Sequence, residues 1–270
     1  MKTPTAARLP MLGVLRLSGP DASGFLQGQL SNDLDLLAAG HPLRAGLHTP
    51  QGRVIAVLQL FAGGADIFAV LPRDLVEPVR QHLSRYVLRA KVRIEDVSGQ
   101  YGVFGVDDAA GRRLEILPTD APLPDGDPCD AADWLAADVA EGLPQVRAAT
   151  SGRFVAQMLN LDRVGGISFT KGCYTGQEII ARAHYRGRVK RRMQRFVSHD
   201  PRPLAPGDRI RLAAGPTVDV IDAARRRDGV LDFLAVAPLP GAAPDDAASD
   251  AKLPCIEAQA TALPYLLEDA

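Results

Sequence analysis

The segment Lys171-Gly172-Cys173-Tyr174-Thr175-Gly176-Gln177-Glu178 sets one thiol between two glycines, beside a lysine and just ahead of a predicted helix. The partial positive charge of a helix N-terminus favours the thiolate, the reactive form of cysteine, and Lys171 adds to it. Thr175 and Glu178 stand at capping-box spacing. This predicts a helix starting at Thr175, with Ile179, Ile180 and Ala183 on its apolar side. Gly172 and Gly176 read as positions of close or unusual backbone geometry. A lone cysteine also reads as a small buried hydrophobe, and the spacing leaves both readings of Cys173 open.

A basic stretch follows, with Arg182, Arg186, Arg188, Lys190, Arg191, Arg192 and Arg195 around His184 and Tyr185. Such a stretch can hold RNA phosphate or an anionic ligand, with Tyr185 stacking on a ring. The competing reading is a solvated, charged helix end. The other two cysteines carry no motif: Cys129 sits in a proline-rich loop and Cys255 in the tail. The histidines, His41, His48, His82, His184 and His199, form no ligand set. There is no Gly-x-Ser-x-Gly, no phosphate-binding loop with Gly-Lys-Ser/Thr and no His-Glu-x-x-His.

Composition bounds the elements that must position these groups. A chain of 270 residues, 46% hydrophobic and 23% charged, can bury one large core or two to three small ones. A net charge of −1 confines any electrostatic footprint to a local patch. Three cysteines without ligand spacing argue against a disulfide framework and a zinc site. No secretory signal and no apolar stretch of about 20 residues is evident, so the chain reads as cytoplasmic, reduced and without a membrane span.

Strands are predicted at Met11 to Ser18, Leu43 to His48, Val54 to Phe61 and Ile67 to Leu71, with a turn at Thr49-Pro50-Gln51-Gly52. A helix opens after Gly19-Pro20, capped by Asp21 or Ser18, and another carries Leu75, Val79, Leu83, Tyr86 and Val87. Val92 to Val97 alternates as a strand, with Tyr101 to Val106 as its expected partner. Ala109 to Asp133 reads as loop, Trp134 to Val139 as a strand or short helix, and Arg153 to Leu161 as helical or a loop–helix junction. Beyond Gly187, Met193 to Val197, Asp208 to Leu212, Val218 to Asp222 and Gly229 to Ala237 suggest a small antiparallel barrel or sandwich. Gly241 to Asp250 reads as an acidic, alanine-rich loop.

Gly166-Ile167-Ser168-Phe169-Thr170 followed by KGCYTGQE resembles the signature of YgfZ-type folate-binding proteins, relatives of the glycine-cleavage aminomethyltransferase. Phe25-Leu26-Gln27-Gly28-Gln29, Asn32-Asp33, Gln51-Gly52-Arg53, Tyr86 to Val92, Gly142-Leu143-Pro144, Gln157 and Asn160-Leu161 agree in order along the chain. The resemblance implies an α+β, GcvT/YgfZ-like fold. Two interleaved ferredoxin-like α+β subdomains (1–187) and a C-terminal antiparallel β-barrel (188–270) would surround a central cavity.

The resemblance implies tetrahydrofolate, or a one-carbon derivative, as cofactor, and a role in assembling or repairing iron–sulfur enzymes, including one that thiomethylates tRNA. Cys173 matches the cysteine on which the family relies. Lys171, Gly172, Tyr174, Gly176, Gln177 and Glu178, with Gln157, Asn160 and Trp134, are the implied cofactor-binding residues. Arg186, Arg188, Lys190, Arg191 and Arg192 are candidates for tRNA contact, and nothing demands more than a monomer.

Phe154-Val155-Ala156-Gln157 departs from the family's Phe-x-Pro-Gln, and no arginine closely follows Trp134. The acidic catalytic segment of the aminomethyltransferases has no counterpart, which points away from glycine cleavage and from a conventional enzyme. The alternatives are a folate-dependent one-carbon transferase, which needs a poised acid or base, and an RNA-binding module built on residues 182–195.

Overall fold

The computed structural model describes residues 3–39, 41–187, 189–213, 215–240 and 253–267. The acidic loop expected at 241–250 and Arg188 lie outside them. In chain order the first elements are β1 (Thr5–Arg8), β2 (Leu12–Ser18), α1 (Ala22–Gln29), β3 (Leu43–His48), β4 (Val54–Gly63), β5 (Asp66–Pro72), α2 (Val76–Val87) and β6 (Arg93–Asp96). Then come β7 (Tyr101–Asp108), β8 (Gly111–Pro118), β9 (Asp127–Pro128), α3 (Ala131–Ala140) and, after a 3-10 turn at Ala156–Leu159, α4 (Gln177–Tyr185). The last are β10 (Arg191–Ser198), β11 (Arg209–Leu212), β12 (Thr217–Arg225), β13 (Leu231–Pro238), β14 (Cys255–Ile256) and β15 (Gln259–Thr261).

These strands make three sheets, ordered β3-β4-β5-β2-β6, β8-β7-β1-β9 and β14-β11-β12-β13-β10-β15. The chain interleaves the first two. β1 pairs antiparallel with β7, whereas β2, only a few residues on, pairs with β5 and β6. β2 is buried along nearly its whole length, as befits a strand covered on both faces. The α2 residues Val76, Val79 and Leu83, three and four apart, turn one stripe into the same core.

Several expectations change. Residues 92–97 and 101–106 do not pair: the former edges the five-stranded sheet on β2, and the latter joins β1 and β8 in the other. Ser98 makes the corner, its hydroxyl accepting from the Val14 N–H at 2.9 Å. The loop expected at 109–133 contains β8, a full hairpin partner for β7. Residues 134–139 are helical, in α3. Asp21 does precede α1, but its carboxylate accepts the Lys91 N–H at 2.7 Å rather than capping the helix.

The C-terminal strands fall close to their predicted positions, but among the described residues their pairing forms an open half-barrel sheet with β14 and β15 at its edges. Period-two alternation along β13 sends Phe233 and Ala235 into a core of its own, where Phe233 stacks on Phe196 with centroids 5.4 Å apart. The intervening Leu234 and Val236 join the core of the body. The third sheet is thus welded to the rest through a shared apolar face.

Candidate functional site

Helix α1 ends at Gln29, and its last carbonyls have no partners within the helix. Lys171 partners one of them and two carbonyls just past the helix. Its Nζ donates to the carbonyls of Gln27 (2.7 Å), Leu30 (2.8 Å) and Asn32 (2.7 Å). Burial pulls the amine down to about 8, while the nearby Asp33 and Asp35 push it back up. A cation at a helix C-terminus also meets the favourable end of the dipole. All three donors of this ammonium are occupied by backbone. Lys171 therefore pins the motif to α1; it is a positioning residue, not the free cofactor ligand or thiolate partner that its place in the sequence suggested.

The same junction is fastened from the α1 side. Ser31 Oγ donates to the Gly166 carbonyl at 2.6 Å, and Asn32 Nδ2 to the carbonyls of Gly165 (2.8 Å) and Arg44 (2.7 Å). The Ser168 N–H returns to the Ser31 carbonyl at 2.9 Å, and the Thr175 N–H reaches the Gly28 carbonyl at 3.3 Å. Residues 27–33 and 165–175, far apart in sequence, form one assembly.

Tyr174 is buried beneath this loop, its phenol pushed up to about 12 by desolvation. Its ring centroid lies 6.3 Å from that of His48, whose imidazole is fully buried and pulled down to about 3 by desolvation. The capping box does not form. Helix α4 begins at Gln177, two residues later than expected, behind Gly176 in the left-handed conformation (φ +85°) with no side-chain cap. Gly176 leans on the Thr49–Gly52 turn so closely that a Cβ would stand 2.7 Å from the Thr49 carbonyl oxygen. Gly172 is different: it is exposed, its φ is ordinary, and a Cβ would meet nothing within 4 Å. Cys173 is exposed, Gln177 half-buried and Glu178 exposed.

Gln157 and Asn160 tie the 3-10 turn to its neighbours. Gln157 Nε2 donates to the Ile180 carbonyl of α4 at 2.7 Å. Asn160, left-handed at φ 57°, donates through Nδ2 to the Met193 carbonyl at 2.7 Å. Both are buried and their amide donors are spent on the protein, while Gln157 Oε1 is buried without a hydrogen-bond partner.

The basic stretch divides. Arg192 is 5% exposed and makes a two-pronged pair with Asp162, at 2.9 Å on each oxygen. Arg191 pairs with Asp219, and Arg195 with Asp232. β10 turns these three into the protein, which removes Arg191 and Arg192 from any RNA-facing surface. Arg182, Arg186 and Lys190 are exposed, and among the described residues no carboxylate pairs with them.

A separate cavity of about 130 Å³ lies between the first two sheets and α3. Its wall carries Trp134, Asp138, Glu141, Arg112, Arg44 and Gln145. Trp134 is buried; the Arg112 guanidinium lies 4.0 Å from its ring centroid, and a Cβ on Gly105 would collide with the indole. Arg112 also pairs with Asp138 at 2.8 Å and Glu141 at 2.7 Å. Burial outweighs that guanidinium and lifts the Asp138 carboxyl to about 6. Arg44 donates to the Val164 carbonyl at 3.2 Å and has no ion pair among the described residues. Of these wall residues Trp134 was singled out from the sequence and Asp138 and Glu141 were not, although 134, 138 and 141 fall on one helical face. Cys173 is not on this wall. The thiol and the cavity are separate features of the structure.

No family profile matches the chain. An uncharacterized protein of Haemophilus influenzae is 32% identical over 235 residues, covering 81% of this chain and 83% of that protein. A protein named tRNA-modifying protein YgfZ from Edwardsiella ictaluri is 34% identical over 218 residues, 66% of each chain. One of the same name from Yersinia pestis is 28% identical over 267 residues, covering 83% of this chain and 81% of its own. Among solved structures, the glycine cleavage system aminomethyltransferase T of Bartonella henselae matches with a TM-score of 0.67 at 12% identity, over 87% of this chain and 78% of that one. At that identity the likeness shows the fold alone. No described helix is long and apolar enough to cross a membrane.

Proposed function

The chain belongs to the YgfZ family, and from that premise we propose that it is a folate-binding accessory protein that uses a surface thiol, Cys173, to support iron–sulfur enzymes, among them enzymes of tRNA modification. The observation that carries this reading is the exposed Cys173 on a loop anchored by three hydrogen bonds from the neighbouring Lys171. A loop so fastened holds its thiol toward a partner instead of into the core. The name shared by the relatives supports the tRNA-related context.

The cavity beside Trp134 is where the tetrahydrofolate head fits. Asp138 and Glu141 offer acceptors to an aminopyrimidine edge, and Arg44 offers donors to a ring carbonyl. At about 130 Å³ the cavity is smaller than the roughly 300–1,000 Å³ of pockets for whole drug-sized ligands, so it suits one flat ring system with the tail outside. Folate supplies one-carbon and redox chemistry when bound; the chain's own groups bind and orient the ring. The aminomethyltransferase alternative needs an acid or base poised at the folate amine. Burial lifts the Asp138 carboxyl on the cavity wall to about 6, and it is engaged by Arg112.

The reading separates in one experiment. Cys173→Ala should bind tetrahydrofolate normally in calorimetry but fail to support iron–sulfur enzymes in cells lacking the native protein. Arg44→Ala should lose folate binding. Full complementation by Cys173→Ala removes the thiol role, and the absence of binding heat at millimolar folate removes the cofactor.

A further inference from the structure

Helix α4 leaves the motif with a surface that no part of the folate reading uses. Phe169, in the loop before the motif, stacks on His184 with centroids 3.8 Å apart and planes 16° off parallel. Tyr185 stands edge-on to both, 4.7 Å from His184 and 6.2 Å from Phe169. This three-ring cluster lies on the outside: His184 is exposed and Tyr185 is 68% exposed. A tyrosine in a helix with so little burial gains little for the fold. Arg182, Tyr185 and Arg186 lie three and four residues apart, on one helical face.

The charges around the cluster point to its occupant. Of the seven basic residues between 182 and 195, Arg191, Arg192 and Arg195 have carboxylate partners inside the protein. Arg182, Arg186 and Lys190, nearest the rings, are exposed and unpaired among the described residues. Cations near a helix C-terminus relieve the dipole, but that need does not call for stacked rings beside them. An exposed aromatic cluster flanked by free cations matches an unstacked nucleobase with its adjoining phosphates, since every base offers a π-face and every linkage a negative charge.

We propose that Phe169, His184 and Tyr185, flanked by Arg182, Arg186 and Lys190, form a stacking platform for an unpaired base of RNA. This rests on the tRNA-related part of the function proposed above and names the surface that meets the RNA. Arg182 and Arg186 hold phosphate, and the rings take a base that is already out of a stem.

Fluorescence anisotropy with the full chain tests this, using a labelled RNA stem-loop, the same sequence as a full duplex, and a polyglutamate peptide. The stem-loop should bind more tightly than the duplex. Tyr185→Ala should weaken it about 5- to 150-fold, whereas Tyr185→Phe, which keeps the π-face, should bind as the parent does. The double variant Arg182→Ala/Arg186→Ala should lower the slope of log affinity against log salt by about 1.4, for two lost phosphates on a single strand. Equal binding of stem-loop and duplex, unchanged by Tyr185→Ala, overturns the platform. So does failure of the parent to bind RNA, or preference for polyglutamate, which would make this a protein-docking surface. Tetrahydrofolate calorimetry on the same variants should match the parent. A parent that binds tetrahydrofolate but no RNA therefore sinks this inference and leaves the folate reading standing.

Discussion

Lys171 Nζ donates to the carbonyl of Leu30 at 2.8 Å, across 141 residues of chain. With the Gln27 and Asn32 carbonyls it closes the end of α1 and fixes the loop that carries Cys173. Lys171→Ala should leave three carbonyls short of a donor. A loss of about 2–4 kcal/mol is expected, given that bonds to a charged donor contribute more than neutral ones. Lys171→Arg should also destabilise, because a planar fork cannot serve three convergent acceptors. Urea denaturation reads both; a midpoint unchanged by Lys171→Ala would refute the pin.

The two glycines of the motif should behave differently. Gly176→Ala places a Cβ in left-handed backbone and against the Thr49 carbonyl, and should cost about 2–4 kcal/mol. Gly172→Ala meets open space at an ordinary φ and should change stability by less than about 0.5 kcal/mol. Thermal melts of the two variants side by side make the comparison.

Arg192 and Asp162 form a buried pair, so Arg192→Met strands a carboxylate and should destabilise by about 3–5 kcal/mol. Arg186→Ala, at an exposed cation of the same basic stretch, should stay within about 0.5 kcal/mol. Equal effects in denaturant titrations would contradict the division of the stretch into structural and free halves.

Asp138 gives the stability a pH signature. Its folded carboxyl titrates near 6, above its ordinary value of 3.8, so the folded state holds the proton more tightly than the unfolded chain. The stabilisation is complete below about pH 4 and is lost as the pH rises through 6; for this buried group it is on the order of 2–3 kcal/mol. Asp138→Asn should flatten that part of the stability–pH curve relative to the parent. Parallel curves from pH 4 to 7 would count against the shift.

Cys173 is exposed, whereas Cys129 and Cys255 are half-buried. In the native protein a colorimetric disulfide reagent should therefore label Cys173 first, with peptide mass mapping to identify the site. Cys173→Ser should melt within a degree or two of the parent, since an exposed thiol contributes little to packing. Prior labelling of either other cysteine would show that the motif loop shields the thiol.

The local signals were legible where a short window contains the physics. Alternation and turn chemistry placed the strands at 43–48 and 54–61, the latter running on to Gly63 in the fold, with the Thr49–Gly52 turn between them, and helical spacing placed α2. The run KGCYTGQE, with its companions at 25–33 and 51–53, identified the family, and the relatives bear that out. Window-level reasoning failed where a distant segment decided the local geometry. A Thr-x-x-Glu cap is a good helix start, but the left-handed Gly176 seated on the Thr49 turn displaced it.

What sequence alone determined was therefore many of the local elements, the family and the residues worth watching. Tertiary structure decided what those residues do. A lysine beside a cysteine looks like a charge for the thiol until α1 delivers three carbonyls to it. A run of arginines looks like one basic face until β10 hands Arg191, Arg192 and Arg195 to carboxylates of the protein and leaves the cations before it at the surface. The physical reason is common to both: a charged side chain acts through the partner within reach of its few ångströms, and here those partners come from segments tens to more than a hundred residues away, brought together only by sheet pairing and core packing.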